Sequence, residues 1–162
     1  MKAVVIGGSG KIGKRLVAEL QSAGHEVVYP THDDFDLKNL PDTLPADFDG
    51  ADVAYLCAAK TRFIDCEADF DSYRINVDAQ IELAKKVKWT GAKIVYLSSE
   101  AVEKALHTNY GNQKALAELG LRAVADPVIA RLNGVNESNE SETAAWLVSL
   151  ASVRPGIYRQ NA

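Results

Sequence analysis

A tyrosine and a lysine, Tyr110 and Lys114, stand four positions apart in a segment that reads as helix, so they share one face. The pair has a chemistry open to it. A phenol titrates near 10, and a neighbouring ammonium favours the phenolate, which predicts a Tyr110 pKa drawn toward neutrality. Tyr110 could then pass a proton to or from a carbonyl or alcohol oxygen. Ser99 closes the preceding predicted strand and could hydrogen-bond the same oxygen. Y-x-x-x-K alone says little, because chance produces it readily. Its weight comes from where it stands relative to the other motifs.

A second constellation opens the chain. Ala3-Val4-Val5-Ile6 reads as a buried strand and runs into Gly7, Gly10 and Gly13. From Lys11 onward, Ile12, Leu16, Val17 and Leu20 recur at helical spacing. Strand, glycine turn and helix together present unpaired backbone N–H groups and a helix's positive end to a phosphate. One glycine allows the tight turn, one lets a pyrophosphate approach the backbone, and one lets helix and strand pack closely. The spacing is G-x-x-G-x-x-G rather than G-x-G-x-x-G. In this context it points to a dinucleotide; the alternative is a tight turn that binds nothing. In NAD-binding units an acidic residue about 20 positions past the glycines bonds the ribose 2′-hydroxyl. Here that place falls on the neutral Thr31, with Asp33 and Asp34 just beyond and Lys11, Lys14 and Arg15 near in sequence. The balance tilts slightly toward NADP over NAD, although Asp33 could still reach a ribose. Asp36 and Leu37 could flank an adenine ring, or belong to a solvated loop with Leu37 tucked inward. With a dinucleotide bound, Lys114 could also hold the nicotinamide ribose.

These residues need a frame. The pattern predicts strands at 25–29, 52–59, 92–97, 128–132 and a short one at 157–158, with helices between them. The strand at 52–59 is nearly all apolar, as one buried on both faces should be, and its small end Ala58-Ala59 would lie at the ligand-binding edge with Lys60 and Thr61. One long helix is expected over Asp69–Trp89, striped by Ile75, Ala79, Leu83 and Val87 and thickened by Tyr73, Val77, Ile81 and Ala84. Asn76 within it reads as solvent-facing or capping. Residues 33–51 read as an abbreviated connection with one or two helical turns at most. Asn139 with Glu142 fits a capping box before the last helix. Alternating strands and helices indicate an α/β, doubly wound parallel sheet of about six strands, enough for the order 3-2-1-4-5-6.

Composition narrows the class. The 162 residues predict one domain, 1–162, and 47% hydrophobic content is ample for its core. A net charge of −4 argues against a nucleic-acid footprint. No stretch has membrane length, and the opening apolar run is too short for a signal peptide, so a cytoplasmic protein is expected. On that expectation the N-x-S triplets at Asn136 and Asn139 are not glycosylation sites. Cys57 and Cys66 are the only cysteines, without CxxC or Cys/His spacing, and read as reduced thiols with no metal. Cys57 is expected as a small buried residue of its strand. His25, His32 and His107 have no partner spacing.

The chain resembles the extended short-chain dehydrogenase/reductase family, in its NAD-dependent epimerase/dehydratase and dTDP-4-dehydrorhamnose reductase branch. The resemblance rests on GGSGKIG at 7–13, GHEVV at 24–28, CAAKT at 57–61, FIDCE at 63–67, INV at 75–77, YLSSEAV at 96–102, YGNQK at 110–114, ARLNGV at 130–135 and PGIY at 155–158. It implies an NAD(P)-binding Rossmann fold. Gly7, Gly10, Ile12 and Gly13 would contact the pyrophosphate, Asp36 and Leu37 would lie by the adenine, and Ala58, Ala59 and Lys60 by the ribose and phosphates. Ser99, Tyr110 and Lys114 would be the catalytic triad, with Ser98 structural. A homodimer through the helices at 69–89 and 108–124 is implied as well. Two departures stand out. The family's S-x-x-V-Y-G is here Ser99-Glu100-Ala101-Val102-Glu103-Lys104, and only a short connection follows Leu132, where relatives insert much of a substrate lobe.

Two functions compete. One is an NAD(P)-dependent oxidoreductase or epimerase acting on a sugar-nucleotide or small carbonyl substrate, with Tyr110 as acid/base. The other is a non-catalytic NAD(P)-binding sensor or partner subunit without a substrate lobe.

Overall fold

The computed structural model describes residues 1–161. Its frame is a six-stranded sheet built from β1 (Lys2–Ile6), β2 (Glu26–Val28), β3 (Val53–Leu56), β4 (Lys93–Ser99), β5 (Val128–Leu132) and β6 (Gly156–Arg159). All neighbours are parallel. The order is β2-β1-β3-β4-β5-β6, not 3-2-1-4-5-6. No strand forms between β2 and β3. That stretch makes only 3₁₀ turns at Leu37–Asn39 and Ala46–Phe48 before crossing to the other side of β1. The abbreviated connection is therefore as expected, and it removes the outer strand that the expected order required.

Helices cover both faces. On one side lie α1 (Lys11–Ser22) and α7 (Glu140–Ser149). The other carries α2 (Phe63–Ala68), α3 (Phe70–Tyr73), α4 (Ala79–Lys88), α5 (Ala101–Lys104) and α6 (Asn109–Val124). Alternation along β1 shows the division. Val4 and Ile6 pack with Leu83, Ala84, Ala117 and Leu121, while Ala3 and Val5 pack with Leu16, Leu20 and Leu147. Strands buried on both faces need continuous apolar sequence, which is why they were legible. Phe35 and Phe48 meet with tilted rings, centres 5.5 Å apart, and fold the β2–β3 connection onto the first layer.

The helix expected over 69–89 is interrupted. Between α3 and α4 the backbone makes a π turn, Arg74–Asp78. Its wider turn brings Asn76 inward, so Asn76 is fully buried rather than solvent-facing. Tyr73, expected on the buried stripe, is 43% exposed. The expected capping box does not form either. The Asn139 side chain bonds Asn136 N–H at 2.8 Å and Gly134 C=O at 3.0 Å, closing the β5–α7 loop instead of capping α7.

Candidate functional site

A parallel sheet opens a crevice where successive crossovers leave in opposite directions, outside the carboxyl ends of its strands. Here that place lies between β1 and β3, and a cavity of about 660 Å³ occupies it. The glycine turn forms its floor. Gly7 has φ +88°, and a Cβ there would lie 2.6 Å from Ala58 N. A Cβ on Gly13 would lie 2.1 Å from Gly7 O, so strand and helix meet only without side chains. Gly10 precedes α1 with no side-chain cap, which leaves the first-turn N–H groups facing the cavity. A Cβ would fill this cradle; a phosphate-bearing dinucleotide fits it.

The wall follows from the ends of the other strands. Gly7, Gly10, Lys11, Ile12 and Gly13 line one part, and Thr31, Asp36 and Leu37 another. Ala58, Ala59 and Lys60 line a third, and Ser99 and Tyr110 complete it. Leu37 is also buried against the core. Asp36 caps the 3₁₀ turn by accepting from Lys38 N–H, and that bond holds its carboxyl below the usual range.

Lys114 is the exception. It is 3% exposed and does not line the cavity. Its ammonium donates to Leu97 C=O at 2.8 Å and to the Tyr96 hydroxyl at 3.2 Å, and stands 4.8 Å from the Tyr96 ring centre. Burial pulls its pKa down to about 8. The expected draw of Tyr110 toward neutrality is reversed. Burial pushes the Tyr110 phenol up from its usual value, and the Ser99 hydroxyl works the other way. The i,i+4 spacing put both residues on one face of α6, yet the lysine reaches beneath the sheet edge, where carbonyl and phenol acceptors satisfy it.

Several contributors were not legible. Asn76 accepts from Lys60 N–H at 2.8 Å, and its amide donates to Lys60 C=O at 2.9 Å and to Gln113 Oε1 at 2.8 Å. It clips the Lys60 wall to α6. Phe63 meets Tyr110 edge-on, with ring centres 5.3 Å apart. The FIDCE motif was the only sequence signal for that helix. Cys57 lies just past β3, half-buried in the cavity wall rather than inside the strand, and burial raises its thiol to about 12. His32 also lines the cavity, with Nδ1 3.8 Å from Asp36. Ser98 has a structural contact, as expected: its hydroxyl donates to the buried Glu118 at 2.5 Å, and Arg131 grips the same carboxylate at 2.9 and 2.6 Å. Among the described residues no cluster fit for a metal ion occurs, and no helix is long and apolar enough to cross a membrane.

Residues 1–158 match the family described as the RmlD substrate binding domain, and the chain belongs to that family. No curated protein sequence matches it significantly. Among solved structures, a dTDP-4-dehydrorhamnose reductase from Clostridium acetobutylicum superposes with a TM-score of 0.81 at 19% identity, over 100% of this chain and 74% of that one. A dTDP-4-dehydrorhamnose reductase from Bacillus anthracis, in complex with NADP, gives 0.81 at 17% identity, over 99% and 74%. MoeE5, in complex with UDP-glucose and NAD, gives 0.77 at 18% identity, over 100% and 76%. These likenesses show the doubly wound α/β fold expected from the sequence.

Proposed function

We propose that this member of the RmlD substrate-binding-domain family is an NAD(P)-dependent oxidoreductase acting on the carbonyl or alcohol of a sugar-nucleotide or other small substrate. The observation that carries this reading is one continuous cavity lined both by the glycine cradle and by Ser99 with Tyr110. Gly7, Gly10 and the first turn of α1 would hold the pyrophosphate, and the walls at Thr31–Leu37 and Ala58–Lys60 would hold the adenosine and ribose ends. A bound nicotinamide would supply or accept hydride. Tyr110 would give or take the proton at the substrate oxygen, and Ser99 would orient that oxygen. Because burial holds the Tyr110 phenol protonated, its readier role is general acid, in the reducing direction.

The test joins binding and turnover. Calorimetry should detect a nicotinamide dinucleotide, and a carbonyl panel including sugar-nucleotides should show its oxidation. Tyr110→Phe should lower turnover by about 100-fold or more while leaving nucleotide affinity nearly unchanged. Unchanged turnover would remove Tyr110 from the chemistry.

A second reading is a nucleotide-binding module that carries out no hydride transfer. Two observations favour it: Lys114 is engaged away from the cavity, and the segment 133–139 between β5 and α7 leaves little chain for a substrate clamp. It expects nucleotide binding with no oxidation across the whole panel.

A further inference from the structure

We propose that the corner of the cavity at the end of β2 is built for an unphosphorylated adenosine ribose, so that the chain takes NAD(H) in preference to NADP(H). The proposal rests on the dinucleotide reading and assigns the specificity of the same site.

Thr31 is the residue at the position where the ribose 2′-substituent is read, and its hydroxyl is committed. Thr31 Oγ1 donates its only proton to Asp34 Oδ2 at 2.6 Å and accepts from Asp34 N–H at 3.3 Å. What remains is an acceptor. A ribose hydroxyl can donate to it, but a phosphate dianion has no proton to offer. Asp36 lines the same wall, and its carboxylate is held by Lys38 N–H and Asn39 Nδ2, both at 2.9 Å. Both bonds favour its charged form.

Apart from Lys60, on the Ala58–Lys60 wall, the cations lining this cavity stand beside carboxylates. Lys11 Nζ and Arg15 Nε lie 3.2 and 3.3 Å from the Glu140 carboxylate on α7, on the far side of α1 from β2. Lys38 pairs with Asp71, and His32 stands beside Asp36. Lys14 does not line the cavity. A 2′-phosphate would therefore meet carboxylates and a hydroxyl acceptor, with no guanidinium to clamp it. The slight tilt toward NADP drew on the neutral Thr31 and on Lys11, Lys14 and Arg15, and Glu140 engages two of those three cations.

The test is titration calorimetry of the full chain with NADH and with NADPH at low salt. NADH should bind about tenfold tighter or better. Asp34→Ala, at an exposed position, frees the Thr31 hydroxyl to donate and removes a charge. It should shift the affinity ratio several-fold toward NADPH. Wild-type protein that binds NADPH as tightly as NADH overturns the proposal, and so does an Asp34→Ala ratio equal to that of wild type. Flat titrations with both nucleotides overturn the dinucleotide reading itself, a result separate from any change in ratio.

Discussion

Lys114 shows how a buried charge behaves when geometry takes it from its expected partner. Its ammonium titrates at about 8 in the fold, against 10.5 as the ordinary value, and burial is the largest cause. Between those two pH values the unfolded chain holds the proton more strongly than the folded one. Stability therefore rises with pH across that window, as the buried charge is given up; below pH 8 both states are protonated and the penalty is constant. The contribution is about 3 kcal/mol at most. Urea unfolding of wild type and Lys114→Met at pH 7.5 and pH 10 checks it, with the wild type expected to gain relative to the variant. Gly13 makes a steric case of the same kind. Gly13→Ala drives a Cβ to 2.1 Å from Gly7 O. A loss of about 1–3 kcal/mol is expected in thermal melts, together with loss of nucleotide binding.

At the scale of elements, the π turn at Arg74–Asp78 decides more of the site than any long helix would. It turns Asn76 onto the backbone of Lys60, and through Gln113 it ties α6 to the same wall. Asn76→Ala would leave the Lys60 N–H and C=O without their partner. The expected cost is about 2–4 kcal/mol. Amide exchange over residues 58–62 should quicken in the variant, and nucleotide affinity should fall. Retained protection at Lys60 would show that the loop holds its shape without the clip. A polar residue between apolar ones on a predicted helix reads as solvent-facing, because sequence spacing assumes 3.6 residues per turn. The π turn changes that phase locally, and nothing in the composition of 69–89 announces it.

Across the whole molecule, one ionic network joins distant segments. Arg131 on β5 pairs with the buried Glu118 on α6 and with Glu103 on α5, and Arg159 on β6 reaches Glu103 as well. Arg131→Met strands the Glu118 carboxylate, 5% exposed, and should cost about 3–5 kcal/mol. For a chain of this size that is a fall in Tm of about 2–4 °C per kcal/mol. Adding Glu118→Leu should recover most of the loss, which differential scanning calorimetry of the two variants checks. The same contrast between local and distant divides what was legible. Apolar runs such as Val53–Leu56 and the glycines at 7, 10 and 13 act within one strand or turn. The sequence by itself therefore determined the alternation of strands and helices and the glycine turn between β1 and α1. Tertiary structure alone decided the strand order, the inward turn of Asn76, and the partners of Lys114, Lys11 and Arg15. Each of those depends on which distant group meets a polar atom as it leaves water. Tyr96 and Leu97 stand far from Lys114 in the chain, and Glu140 farther still from Lys11, so no local rule could name them.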